Sequence, residues 1–271
     1  MSSMDASNIT VDHMRKLLSE GKRFDGRKID EFRKFEVSFD VSNKAEGSAR
    51  VKLGKTEVIA GVKMVLDAPY PDSPDKGNLM VSAELLPLAS PRFEQGPPKF
   101  DGIELPRLVD RAIRESGMIN LKELVVTPGE KVWTVMVDLY PINDDGNLID
   151  AACIAATAAI RNANIPGIKE SGVSDYKNRT KKQIPVLKDC LPLSITFYKL
   201  GDAIFLDPTR EEAESTDVKI NFGLSHWSGK LMINSCQKTG PVPFTQEEIE
   251  KMMSILPEKY KELNERLKKF L

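Results

Sequence analysis

Two groups of residues carry chemistry by type and spacing alone. Residues 207–217, DPTREEAESTD, hold six charged side chains in eleven positions, and five of the six are acidic: Asp207, Glu211, Glu212, Glu214 and Asp217. The segment lies between two apolar stretches, LGDAIF and VKINFGL, a place where an enzyme holds carboxylates for acid–base work or for a cation. The second group is Arg107, Arg111 and Arg114 in ELPRLVDRAIRESG. On an α-helix the spacings i, i+4 and i+7 put the three guanidiniums within about 60° of one another, opposite the stripe of Leu105, Leu108 and Ala112. Such a row is either a solvated face with local pairs (Glu104 with Arg107, Asp110 with Arg114) or a track for successive phosphates of a single strand, held without reading sequence.

Other chemistries find little material. The 271 residues include only two histidines, His13 and His226, far apart in the chain, so a histidine triad or a His-rich metal site is not expected. The three cysteines, Cys153, Cys190 and Cys236, are scattered and odd in number, which argues against a disulfide framework or a zinc site and for a reducing compartment. No phosphate-binding loop of the GxxxxGK[ST] or GxGxxG type occurs, which removes the motif a small-molecule kinase would need. No metal and no cofactor is implied. The net charge of −1 excludes wholesale nucleic-acid binding, so any RNA contact must use a local basic patch. Lys177, Arg179, Lys181 and Lys182 form a second such patch, which fits an exposed linker equally well. No apolar run approaches the ~20 residues of a membrane span and no signal peptide pattern opens the sequence, so a cytoplasmic protein without a membrane partner is expected.

The elements that must position these groups follow from periodicity. Thr10 is a candidate cap for a short helix ended by Gly21, preceded by a polar stretch over residues 1–9. Alternation at Phe35, Val37, Phe39 and Val41, at Val51 and Leu53, and at Val58, Ala60, Val62 and Met64 predicts strands, with a turn at Gly54-Lys55. LMVSAELLPLA continues as a strand after a Pro/Asp/Gly loop over 67–78. Residues 104–117 form the clearest helix, LKELVVT and KVWTVMVDLYPI pair across TPGE, and NLIDAACIAATAAIRNA is a second, alanine-rich helix. A loop is expected over 164–190. Hairpins then turn at Gly201-Asp202 and at Ser228-Gly229. Thr245 and Glu248 form a capping box for a last helical region that Pro257 is expected to divide. The order is α+β rather than strict βαβ alternation. The expected division is an extension over 1–22, a first domain over 23–189 and a second over 190–271.

Taken together and in order, several stretches resemble the RNase PH family of phosphorolytic exoribonucleases. These are RFDGR (23–27), GSARVKLGKTEVIAGVK, GNLMVSAELLPLA, ASPRFEQGPPKF (89–100), the arginine-bearing helix, the alanine-rich helix and the acidic stretch between two strand pairs. The resemblance covers the chain from about Arg23 to the last helix. It is nearest to the non-catalytic branch that contributes ring subunits to the archaeal exosome. It implies two ribosomal-S5-domain-2-like halves with mixed sheets and flanking helices. It also implies a homologous catalytic partner in a hexameric ring of three heterodimers, RNA-binding cap subunits, and single-stranded RNA as ligand.

The resemblance also says where chemistry should be. Active members carry a Gly-Ser-Arg type cradle for phosphate at the start of the alanine-rich helix. Here that stretch is Asn143-Asp144-Asp145-Gly146-Asn147-Leu148, so Gly146 remains while Asn147 and Leu148 replace hydroxyl and guanidinium. A carboxylate about 5 Å from a phosphate charge costs about 3 kcal/mol at an effective dielectric of 20. Asp144 through Asn147 read more simply as a helix-capping turn. Active members also place two aspartates six positions apart in the acidic loop. Asp217 matches the second, but Glu211 stands at the first, and its extra methylene displaces the carboxylate by about 1 Å where about 0.5 Å is tolerated. The expected reading is a relic site, with the acidic segment mostly a solvated surface turn. Arg107, Arg111 and Arg114 would lie beside the RNA path at the junction between ring neighbours. An autonomous phosphate-dependent 3′-to-5′ exoribonuclease is the alternative.

Overall fold

The computed structural model describes residues 8–171 and 173–271. Strands β1 (Phe35–Phe39), β2 (Gly47–Leu53), β3 (Thr56–Asp67), β4 (Asn78–Ala83), β5 (Val125–Thr127) and β6 (Lys131–Asn143) build one sheet in the order β1-β2-β3-β6-β4, with β5 paired to β6. β3 shows why the alternation is there: Val58, Ala60, Val62 and Met64 are all fully buried, while the residues between them are only half-buried. β4 runs parallel to β6, the one parallel pairing in an otherwise antiparallel sheet. A second sheet has the order β10-β9-β11-β12, from β9 (Leu193–Leu200), β10 (Ala203–Leu206), β11 (Val218–Trp227) and β12 (Lys230–Thr239).

Helices α2 (Phe100–Ser116) and α3 (Leu148–Arg161) each pack against both sheets and form the shared middle layer. α3 is buried continuously from Ile149 to Ile160, and its alanines let the sheets approach. At Gly47 of β2 a Cβ would stand 2.5 Å from the Ala159 carbonyl oxygen and from the Ala163 Cα, so only glycine permits that approach. β9 is buried on both faces: Thr196 and Tyr198 point to the α3 side, and Lys199 pairs with Glu248 of α5 (Gln246–Lys268) at 2.6 Å. α1 (Asn8–Ser19) closes the β9–β10 hairpin through Met14 and Leu18 on Tyr198, Leu200 and Phe205.

The α+β order holds, and six local expectations need correction. α1 begins at Asn8, so Thr10 is inside it; residues 1–7 of the expected polar extension lie outside the described residues. The 104–117 helix starts four residues earlier, at Phe100, and accommodates Pro106 internally. The LKELVVT strand splits into a 3-10 turn, Leu121–Leu124, and the short β5, while β4 ends at Ala83. The expected loop over 164–190 contains a ribbon of β7 (Asn164–Ile168) and β8 (Ser174–Gln183). Pro257 does not divide the last helix: Met252, Leu256, Tyr260, Leu263 and Leu267 form one buried stripe across it, and this packing outweighs one missing backbone bond.

Candidate functional site

The loop before α3 is where a helix N-terminus would meet an anion, and its polar groups are already committed. Gly146 has φ +84°, its N–H donates to Asp144 Oδ1 at 3.1 Å, and its carbonyl accepts from Thr56 Oγ1 at 2.6 Å and from Arg33 Nη2 at 3.1 Å. The Asp145 N–H donates to Thr56 Oγ1 at 3.2 Å. A Cβ at Gly146 would lie 2.5 Å from the Pro208 carbonyl oxygen, so the loop rests directly on the acidic segment. Asn147 occupies the N-cap position, but its side chain does not cap; it sits at φ +57° and donates to Asp207 Oδ1 at 2.9 Å. The simple capping-turn reading is therefore corrected: Asp144 makes a local turn bond, and Asn147 spans the two halves of the fold.

Asp207 is the centre of this arrangement. It is fully buried, at φ +46°, where an aspartate is tolerated better than most residues. Its Oδ2 accepts from Arg27 Nη1 at 2.9 Å, from the Arg33 N–H at 2.7 Å and from Arg33 Nε at 2.9 Å; its Oδ1 accepts from Arg33 Nη2 at 2.8 Å. Its carbonyl accepts from Arg23 Nη2 at 2.8 Å and from Arg27 Nη2 at 3.0 Å. Burial works against the Arg33 charge, but its bonds to Asp207 and the fields of Asp207, Asp145 and Asp25 outweigh it and hold the guanidinium above its ordinary range. Glu212 completes the group. It caps the short α4 (Arg210–Glu214) reciprocally with Thr209 and accepts from the buried Arg23, at 2.9 Å from Nε.

The solvated-turn reading of residues 207–217 thus fails for Asp207 and Glu212, which are 0% and 1% exposed, and describes only Glu211, which is exposed on α4. The physical reason is the arginine set of residues 23–33, a long-range counterpart that no local pattern announces. RFDGR reads as a charged turn, and the arginines of residues 23–33 are interleaved with Asp25, Asp30 and Glu31, so local pairing gives no sign of a distant partner. Asp217 turns away from this group: its Oδ2 accepts the Gly201 N–H at 2.8 Å across the β9–β10 turn, and its Oδ1 faces Arg15 at 3.9 Å. Glu211 and Asp217 do not line the same cleft. Asp217 lines a cleft of about 540 Å³ together with Gly146, Asn147 and Leu148, while Glu211 is not in its walls. The cleft walls hold five carboxylates (Asp101, Glu104, Asp144, Glu214 and Asp217) against two cations, Arg92 and Lys219. Both cations are spent on ion pairs, Arg92 with Asp144 at 2.8 Å and Lys219 with Glu104 at 2.7 Å. Such a cleft repels a doubly charged phosphate.

Asp150, in the first turn of α3, is fully buried against β9, where Thr196 donates to it from Oγ1 at 2.8 Å and from its N–H at 3.2 Å. Burial pushes its carboxyl up to about 7, although these bonds and one with Asn147 favour the charged form. On α2 the three arginines diverge. Arg114 is bound to Asp110 at 2.6 Å and to the Leu79 carbonyl at 2.8 Å. Arg107 and Arg111 are exposed and have no ion-pair or hydrogen-bond partner among the described residues. The expected Glu104–Arg107 pair does not form, because Glu104 faces the buried side of the helix and binds Lys219 and Thr239. Within the basic run, Lys181 and Lys182 belong to β8.

Comparison with known proteins identifies the family of the chain. The first domain of the 3′ exoribonuclease family (RNase PH) matches residues 31–166, and its second domain matches residues 190–255. The chain is 42% identical over 267 residues to the exosome complex component Rrp42 of Methanocella arvoryzae, covering 98% of each. It is 48% identical over 213 residues to that of Archaeoglobus fulgidus, covering 79% of each. Among solved structures, a chain of the Archaeoglobus fulgidus exosome with RNA bound to the active site superposes with a TM-score of 0.87 at 40% identity, covering 96% of this chain and 98% of that one. A chain of an archaeal exosome core superposes at 0.84 with 38% identity, over 96% and 97%. Rice Rrp46, at 18% identity and a TM-score of 0.65, shares the fold. With both domains matched in order and relatives this similar along nearly its full length, the chain belongs to the RNase PH type of the 3′ exoribonuclease family, alongside the archaeal Rrp42 exosome components.

Proposed function

We propose that this protein is a non-catalytic, RNA-guiding ring subunit of an archaeal exosome, acting in the cytoplasm beside a homologous RNase PH-like subunit that performs 3′-to-5′ phosphorolysis. The observation that carries this reading is the state of the loop before α3. Its Gly146 N–H is taken by Asp144, Asn147 is spent on Asp207, Leu148 supplies no charge, and the adjoining cleft is acidic. Phosphorolysis needs an anion held by free N–H groups and cations beside a polyanion. The partner would supply that cradle, and the ring would be three heterodimers topped by RNA-binding cap subunits. In this reading Arg107 and Arg111 hold phosphates of single-stranded RNA on its way to the partner's site, with Arg114 a lesser contact because Asp110 engages it. The division into an extension over 1–22 and domains over 23–189 and 190–271 fits this reading.

The test is direct. The purified chain is incubated with end-labelled RNA and inorganic phosphate, and nucleoside diphosphates are sought; none is expected at any phosphate concentration. Release of nucleoside diphosphate that Asp217→Ala abolishes would establish the autonomous exoribonuclease instead. With a catalytic partner present the chain should elute as one ring-sized species, and a stable monomer in both conditions would refute the ring.

A further inference from the structure

The exposed face of α2 carries more than arginines. Because the helix starts at Phe100, that residue lies seven positions before Arg107 and within about 20° of it around the axis. The residue is 62% exposed, and its ring packs on no other aromatic ring among the described residues. About 10 Å of helix axis separates Phe100 from Arg107, and about 6 Å separates Arg107 from Arg111. An exposed aromatic ring thus stands in line with two unpartnered guanidiniums. A protein surface seated there would bury two guanidiniums that no carboxylate among the described residues neutralises, at substantial desolvation cost. A single-stranded nucleic acid satisfies all three groups at once, with phosphates for the arginines and a base face for the ring.

Resting on the reading of Arg107 and Arg111 as phosphate contacts, we propose that Phe100 is a base-stacking platform that takes a nucleobase of the same RNA strand. The ring positions a base without selecting its identity, since every base has a π-face. This adds to the charge-only track a contact that does not depend on salt.

The experiment uses the full-length chain and fluorescence anisotropy with labelled oligoadenylate at several salt concentrations. A matched strand of abasic ribose phosphates is the control. Phe100→Ala and Phe100→Leu should each weaken oligoadenylate binding by roughly tenfold, as expected for loss of one stacked base, with the salt slope unchanged. Phe100→Trp should retain affinity, and the abasic strand should not respond to any of the three. If the Phe100 variants bind normally while Arg107→Ala/Arg111→Ala binds weakly, the stacking proposal falls and the phosphate track stands. If the double arginine variant also binds normally, the track itself falls. Full binding by Phe100→Leu with weak binding by Phe100→Ala would mean generic apolar contact and would refute stacking. A change in the mass of the assembled ring at unchanged RNA affinity would assign Phe100 to a protein contact and refute it as well.

Discussion

Replacing Asp207 by alanine removes the one carboxylate that Arg27 and Arg33 share. Five hydrogen bonds end on its two oxygens, four from these arginines and one from Asn147. The Arg33 and Arg27 side chains are only 9% and 11% exposed, so water cannot replace the lost partner fully. Breaking a buried pair by deleting one member costs about 3–5 kcal/mol. Two features adjust that figure. The carbonyls of Asp145, Gly146, Pro208 and Asp207 still accept from the guanidiniums, which moves the loss toward the lower end. The left-handed backbone at residue 207 is less comfortable for alanine than for aspartate, which moves it back by up to about 1 kcal/mol. The expected loss for Asp207→Ala is therefore about 4 kcal/mol. Asp207→Gly, free of backbone strain, should lose about 3 kcal/mol on the same basis, and Asp207→Asn, which keeps an acceptor for Arg33, less. Urea unfolding followed by Trp133 fluorescence reads these differences. Hydrogen exchange over residues 143–150 and 207–216 within an assembled ring reads them locally. A loss below about 1 kcal/mol for Asp207→Ala, with unchanged exchange, would refute the view that this ion group joins the two halves.

Three other outcomes are expected. Arg107→Ala with Arg111→Ala should lower the salt slope of single-stranded RNA binding by about 1–2 units, at about 0.7 per phosphate contact, in a ring of normal mass, while Arg114→Ala changes it less. Asp150 has its carboxyl raised from its ordinary 3.8 to about 7, so the folded state binds the proton more tightly than the unfolded chain. Its contribution is then fully present below about pH 4 and is lost as pH rises through 7, with a maximum near 4 kcal/mol at 1.36 kcal/mol per pH unit. Asp150→Asn should flatten that part of the stability–pH curve, as checked by urea titrations from pH 4 to 8. Pro257→Ala restores an N–H to an exposed position of a continuous helix and should raise stability by about 1 kcal/mol or more; a fall in the unfolding midpoint would contradict it.

Much of this protein was legible in its sequence because the relevant forces are local. Alternation at Val58, Ala60, Val62 and Met64 specified a strand, since period-two burial has no other use. Thr245 and Glu248 form the capping box they announced, and Gly117 ends α2 at φ +65°. The arginine row was visible because helix geometry follows from spacing, and the lack of a hydroxyl and a guanidinium at Asn147 and Leu148 was visible because residue identity alone decides it. What only the tertiary structure decided involves partners far apart in the chain or packing that overrides propensity. Pro257 reads as a breaker until a buried stripe holds the helix through it. Phe100 joins the arginine face only because α2 continues upstream of Pro106. Asp207 reads as one acid in a solvated acidic run, yet it is buried beneath Arg27 and Arg33, 180 and 174 residues away in sequence. A long-range ion pair leaves no periodicity, so its charges look like surface charges until folding brings them together and removes the water between them.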